Sequence, residues 1–114
     1  MIYITILCKS DISTAKTTNR CLDSIYSATS ALPPFDDVKI YIVESGNSVQ
    51  YRCKKTIRYD KDVFNYNHAC NLAIDDIFPH MKNNDWLCIM NNDIVCDEQW
   101  LYALSKATKM LPTM

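Results

Sequence analysis

At 114 residues, 48% hydrophobic and 22% charged, with only one glycine and four prolines, the chain has the make-up of a single globular domain over residues 1–114 and excludes a disordered tail or flexible linker. Its formal charge of -1, with Lys54-Lys55 the only adjacent basic pair, excludes the electrostatic footprint of a nucleic-acid binder.

Ile2-Tyr3-Ile4-Thr5-Ile6-Leu7-Cys8 is a nearly continuous apolar, β-branched run stopped by Lys9-Ser10-Asp11, the pattern of a strand covered on both faces and central in its sheet. The run is too short for a membrane span and has no basic segment ahead of it, so a cytoplasmic chain is expected. From about Thr14 to Thr29, residues Ala15, Cys21, Leu22, Ile25 and Ala28 keep helical spacing, with Ser10, Asp11 or Ser13 as candidate caps and Pro33-Pro34 as a stop. A second strand, Val38 to Val43, leads into the polar turn Glu44-Ser45-Gly46-Asn47-Ser48, which holds the only glycine.

Thr56 to Tyr59 predicts a short third strand, followed by the loop residues Asp60-Lys61-Asp62. Between about Tyr66 and Phe78, Cys70, Ala73, Ile74 and Ile77 line one helical face until Pro79 ends it. Trp86-Leu87-Cys88-Ile89-Met90 is a fourth apolar strand running straight into Asn91-Asn92-Asp93; Asp97 then caps a last helix that buries Trp100, Leu101 and Leu104. The order is βαββαβα, which predicts an α/β fold of Rossmann-like kind: a mainly parallel sheet with helices on both faces. Ligands of such sheets bind outside the carboxyl ends of the strands. The turns that begin at Lys9, Glu44 and Asn91 would share that edge.

Cys8, Cys70 and Cys88 sit inside apolar runs, which reads as buried free thiols rather than a disulfide framework. His68 and His80 have no close ligand partner in sequence, so no zinc spacing exists. In Asn91-Asn92-Asp93 a carboxylate at a strand tip is placed to ligate a divalent cation that neutralises a diphosphate, although Asn and Asp also favour turns through bonds to their own backbone. Glu44 at the same edge could accept from a base N–H or a ribose hydroxyl, or be an exposed acid that begins a turn. Asn65, Asn67 and Asn71 cluster at a helix start, where fewer would serve as caps and where unsatisfied N–H groups suit a diphosphate or sugar hydroxyl. His68 reads as structural.

These blocks, taken in order, resemble the family 2 glycosyltransferases of the GT-A fold over almost the whole chain. Ile4-Thr5-Ile6-Leu7 is similar to the opening strand and Asn19-Arg20-Cys21-Leu22-Asp23-Ser24-Ile25 to the "R-x-L-x-S-I" helix. Ile42-Val43-Glu44-Ser45-Gly46-Asn47-Ser48 resembles the "V-V-D-x-G-S" block. Phe64-Asn65-Tyr66 with Ala69-Cys70-Asn71-Leu72-Ala73-Ile74 resembles "F-N-x-x-x-A-x-N-x-A-I". Leu87 to Ile94 resembles the "L-N-N-D" form of the metal-binding D-x-D motif, and Trp100 the tryptophan that often follows it.

The resemblance implies a GT-A half-domain that binds a nucleotide-diphosphate sugar, a UDP-sugar first among them, with Mn2+ or Mg2+. Asp93 would be the metal ligand, Glu44 would contact the nucleoside, and Gly46, Asn71, Asn91 and Asn92 would line the donor site. Inverting transfer to a glycan or protein acceptor would follow. Two departures stand out. Lys9-Ser10-Asp11 replaces the family's usual "T-Y-N" turn, and the chain ends at Met114, where family members continue into the acceptor half that normally carries the catalytic base. No base is assigned here, so the expectation is a truncated donor-binding half whose acceptor half lies on a longer natural chain or on a partner subunit, with self-association through an open sheet edge also expected. The alternatives are a non-catalytic nucleotide-binding or protein-interaction module that kept the half-fold, and an unrelated flavodoxin-like or receiver-like domain in which Asp93 is only a turn residue.

Overall fold

A computed structural model describes residues 1–9, 12–32, 37–46, 49–60 and 64–110. In chain order it contains β1 (Ile2–Lys9), α1 (Ile12–Ala28) with a 3-10 turn (Thr29–Ala31), β2 (Val38–Ser45), β3 (Lys55–Tyr59), α2 (Tyr66–Ile77) with a 3-10 turn (Phe78–His80), β4 (Trp86–Asn91) and α3 (Trp100–Met110). The four strands form one sheet in the order β3-β2-β1-β4, and every pairing is parallel. β1 is central, as its unbroken apolar run predicts.

Alternation along the strands sorts the core into two layers. On one face Ile2, Ile4, Ile6 and Cys8 of β1 join Ile40 and Ile42 of β2 and Met90 of β4, under Cys21, Leu22, Ile25 and Ala28 of α1 and Leu101 of α3. On the other, Tyr3 and Leu7 join Tyr41, Val43 and Tyr59 under Ala69, Ala73 and Ile77 of α2. Helices therefore cover both faces, which is why β1 has no polar side. Among the described residues β4 has a strand neighbour on one flank only, and Trp86, Leu87, Cys88 and Ile89 remain half-buried.

Several local expectations are adjusted. α1 begins at Ile12, so Ser13 lies inside the helix rather than capping it; Ser10 and Asp11, like Pro33-Pro34, Asn47, Ser48, Lys61, Asp62 and Met114, lie outside the described residues. The hydroxyl of Thr14 ties the first turn of α1 to the end of β1 by donating to the Lys9 carbonyl at 2.5 Å. In α2 the buried line is Ala69, Ala73 and Ile77, at i, i+4 and i+8, which leaves Ile74 40% exposed instead of in the core. Pro79 has no N–H for the α-helical ladder, so the chain tightens into a 3-10 turn one residue earlier than predicted.

Asn65 caps α2 by accepting from the His68 N–H at 2.9 Å. Asp97 sets the start of α3: its carboxylate accepts from the Gln99 N–H at 2.9 Å and its carbonyl from the Trp100 N–H at 3.0 Å. All six cysteines are free thiols. Among the described residues no helix is long and apolar enough to cross a membrane.

Candidate functional site

Because all strands are parallel, their carboxyl ends meet at one edge, and the register fixes who faces whom there. Glu44 pairs with Cys8 on one side and Arg58 on the other, while Leu7 pairs with Asn91. The residues that follow β4 thus stand level with the end of β1. Of the predicted site residues, Glu44, Gly46, Asn91, Asn92 and Asp93 all lie along this edge.

Glu44 is the unexpected one. It is 0% exposed rather than a solvated acid opening a turn. Its Oε1 accepts from the Arg58 guanidinium, whose other terminal nitrogen donates to the Val49 carbonyl. Its Oε2 and Ser45 Oγ are buried without a well-formed hydrogen bond among the described residues, as is Thr5 Oγ1 in the middle of β1, while the buried Tyr51 hydroxyl lies against the Glu44 carboxylate and the Cys8 thiol and interacts with both. Buried oxygens without good partners are costly, and at this edge Glu44 Oε2 has the Tyr51 hydroxyl as a polar neighbour.

Tyr51 lies close to Cys8 and Glu44. Burial first, then the charges of Cys8 and Glu44, hold its phenolic proton more tightly than usual. Burial and the Glu44 charge likewise push the Cys8 thiol up to about 11, with the Thr18 and Tyr51 hydroxyls and the Arg58 charge offsetting part of the rise. Cys8 at this edge is therefore a protonated packing group and no nucleophile at neutral pH.

Gly46 leaves β2 with φ 116°, a backbone region that penalises any side chain, and donates its N–H to the Tyr59 carbonyl at 2.8 Å. The turn so formed lines a cavity of about 180 Å³ with Arg58, Tyr59 and Asp60. That volume accommodates a ring or a ribose and falls short of a whole nucleotide sugar. Across the edge, Asn92 Nδ2 donates to Thr18 Oγ1 at 3.0 Å, and Thr18 Oγ1 donates to the Thr14 carbonyl at 3.0 Å. The turn after β4 is thereby tied to α1, and Cys96 is held similarly: its N–H donates to Ser24 Oγ at 2.9 Å, which donates to the Cys21 carbonyl at 2.7 Å.

Asn92 is half-buried by this tether, whereas Asn91 and Asp93 are exposed. A polar seam consequently runs from Arg58 and Glu44 through Cys8 and Thr18 to Asn92. Asn71 is not part of it: it sits on the exposed side of α2 and makes no hydrogen bond to Glu44 or to the Asn91–Asp93 turn. His68 is exposed and stacks edge-on against Tyr59, with ring centroids 4.9 Å apart, in agreement with a structural role.

Among the described residues no three His, Cys, Asp or Glu side chains are grouped so as to hold a metal. Asp93 is a lone exposed carboxylate. Such a ligand suits a magnesium-like ion that keeps several waters and takes its other oxygens from a bound diphosphate, and does not suit a metal held by protein alone. Arg58, Tyr51 and Thr18 were not singled out by sequence reasoning. The signals were weak: a charged residue inside a short strand, and a threonine on the apolar stripe of a helix.

Comparison with known proteins adds no relative: no family model, no curated protein and no solved structure matches the chain.

Proposed function

We propose that the carboxyl edge of the sheet binds a nucleotide-diphosphate sugar, with UDP the expected nucleotide, and that the chain is the donor-binding half of a GT-A-like glycosyltransferase. The observation that supports the reading is buried Glu44, whose Oε2 has no well-formed hydrogen bond among the described residues and lies beside the Tyr51 hydroxyl, at the same edge as the tethered Asn91-Asn92-Asp93 turn. Glu44 Oε2 would accept from the base or ribose, and the close backbone approach allowed at Gly46 would admit the ring to the cavity beside it. Asp93 would hold Mn2+ or Mg2+ jointly with the diphosphate, and Asn91 would be free to reach the sugar or its phosphates. The metal would supply charge neutralisation of the leaving diphosphate. The ordered sequence blocks support this reading, and the all-parallel sheet is compatible with it.

Asn92 enters as a positioning residue, since its amide is engaged by Thr18 and holds the turn that presents Asp93. No described side chain is assigned as the base that an acceptor hydroxyl would need. That favours keeping a second reading: a nucleotide-binding or interaction module without turnover.

Isothermal titration of UDP and of GDP, with and without MnCl2, tests the reading. A saturable heat that requires metal and disappears in Asp93→Ala is expected, with Glu44→Gln weakening the nucleoside contact while leaving the metal requirement intact. Metal-independent heat, or Asp93→Ala binding like the parent, would overturn the site.

A further inference from the structure

The opposite edge of the sheet, where the strands begin, holds a groove of about 670 Å³ on the face covered by α2. The register explains its lining. Tyr3 pairs with Lys39 and Tyr41 with Lys55, so on this face the strand starts set tyrosine beside lysine. The two rings, 6.2 Å apart and tilted by 40°, form an almost fully buried floor. Lys54 and Lys82 join the rim from the segments ahead of β3 and β4, each fixed through its backbone: the Lys54 N–H donates to the Ile40 carbonyl at 2.8 Å and the Lys82 N–H to Asp85 Oδ2 at 2.8 Å.

Four lysines thus face two aspartates, Asp76 and Asp85, in one concavity of a chain whose net charge is -1. Lys55 Nζ is paired with Asp76 at 2.8 Å, whereas Lys39, Lys54 and Lys82 have no ion-pair partner among the described residues. Scattered surface lysines are ordinary; three unpaired ones around a groove of ligand size raise the local concentration of anions. The groove contains no arginine, and lysine acts as a compact point charge that suits tetrahedral polyanions better than the planar fork of a carboxylate site. We propose that this groove binds a small anion carrying two or more phosphate groups, either free or as the headgroup of a lipid. The site is remote from Asp93 along the strands and does not rest on the nucleotide reading.

The test is an amide-resolved NMR titration of the whole chain with inorganic tripolyphosphate in EDTA, so that metal-dependent binding at the carboxyl edge is silent. Saturable shifts at Lys39, Tyr41, Lys54 and Lys82 are expected. Lys54→Glu with Lys82→Glu, both at exposed positions, should weaken Kd on the order of tenfold, while Lys106→Glu on the exposed side of α3 and Asp93→Ala leave it within about twofold. Absence of saturation, shifts confined to the carboxyl edge, or an equal loss in Lys106→Glu would overturn the proposal. Sedimentation with phosphatidylcholine vesicles, with and without phosphatidylinositol 4-phosphate, separates the two sources. Headgroup-dependent pelleting lost in the double variant assigns the lipid, and tripolyphosphate binding without pelleting assigns a soluble ligand.

Discussion

At the end of β2, Glu44 and Ser45 are buried, and Glu44 is locked to Arg58; at the end of β4, Asn91 and Asp93 stand exposed and only Asn92 is tied down. The two ends are neighbours on one sheet edge, separated by β1 alone. The difference follows from position. β2 is flanked by strands on both sides and its end is roofed by the Tyr51 segment, so any polar group there must find partners inside the protein or in a ligand. β4 is flanked by a strand on one side among the described residues, and its exit is exposed. A nucleoside contact gains from the first environment, where hydrogen bonds are strong and selective; a hydrated divalent ion needs the second.

The largest effect that would break this contrast comes from Arg58. Arg58→Ala leaves a fully buried carboxylate uncompensated, and a loss of about 3–5 kcal/mol in urea unfolding is expected. The double variant Glu44→Met with Arg58→Leu should be more stable than Arg58→Ala, because both charges leave together. An Arg58→Ala cost below about 1 kcal/mol would mean that water or another group reaches Glu44, and the buried character of the β2 end would be lost as an argument.

A second, intermediate effect reads the same burial through thiols. Burial, and for Cys8 the nearby Glu44 charge, raise Cys8 to about 11, and burial, then neighbouring Cys96, raises Cys21 to about 12, against an ordinary 9.0. The folded protein therefore holds these protons where the unfolded chain releases them. The stability they contribute is complete below about pH 9 and declines as pH rises toward 11 and 12. Urea midpoints measured from pH 8 upward should fall above pH 9, and Cys8→Ala should flatten that fall. Iodoacetamide at pH 8 should modify half-buried Cys70 well before Cys8 or Cys21. A flat midpoint above pH 9, or equal alkylation rates, would show that water reaches the end of β1.

β1, β2, β4 and α1 were legible in the sequence because their apolar runs or periods are clean: seven residues in β1, and 21, 22, 25 and 28 in α1. The shared edge followed from element order alone. Glu44 and Asp93 could be placed at the carboxyl edge from the sequence, yet their environments could not, since a residue at a strand's end is buried or exposed according to its neighbours across the sheet. The pairing of Glu44 with Arg58 depends on a register that periodicity does not carry. The placement of Asn71 was hidden for a related reason: a cluster of amides marks a helix start, but the face on which each amide falls is set by Ala69, Ala73 and Ile77 packing into the core, which leaves Asn71 exposed. The lysine-rimmed groove was illegible altogether, because Lys39, Lys54 and Lys82 are distant in sequence and gather only when the strand starts align.

The smallest effect separates tether from ligand at the β4 end. Asn92→Ala removes the hydrogen bond to Thr18 Oγ1, whose own donation to the Thr14 carbonyl is independent of it, so Thr18 is not left without a partner. A loss of about 1 kcal/mol is expected in urea unfolding, whereas Asp93→Ala, exposed and in no ion pair among the described residues, should stay within about 0.5 kcal/mol. Thr18→Val should match Asn92→Ala in stability and, measured at saturating metal, weaken UDP to a similar degree, because both loosen the turn rather than remove a ligand. Asp93→Ala should instead abolish metal-dependent UDP binding with folding untouched. If Asn92→Ala and Thr18→Val destabilise the fold yet leave metal-dependent UDP binding unchanged, the tether serves α1 packing alone, and Asp93 does not depend on it for its place at the edge.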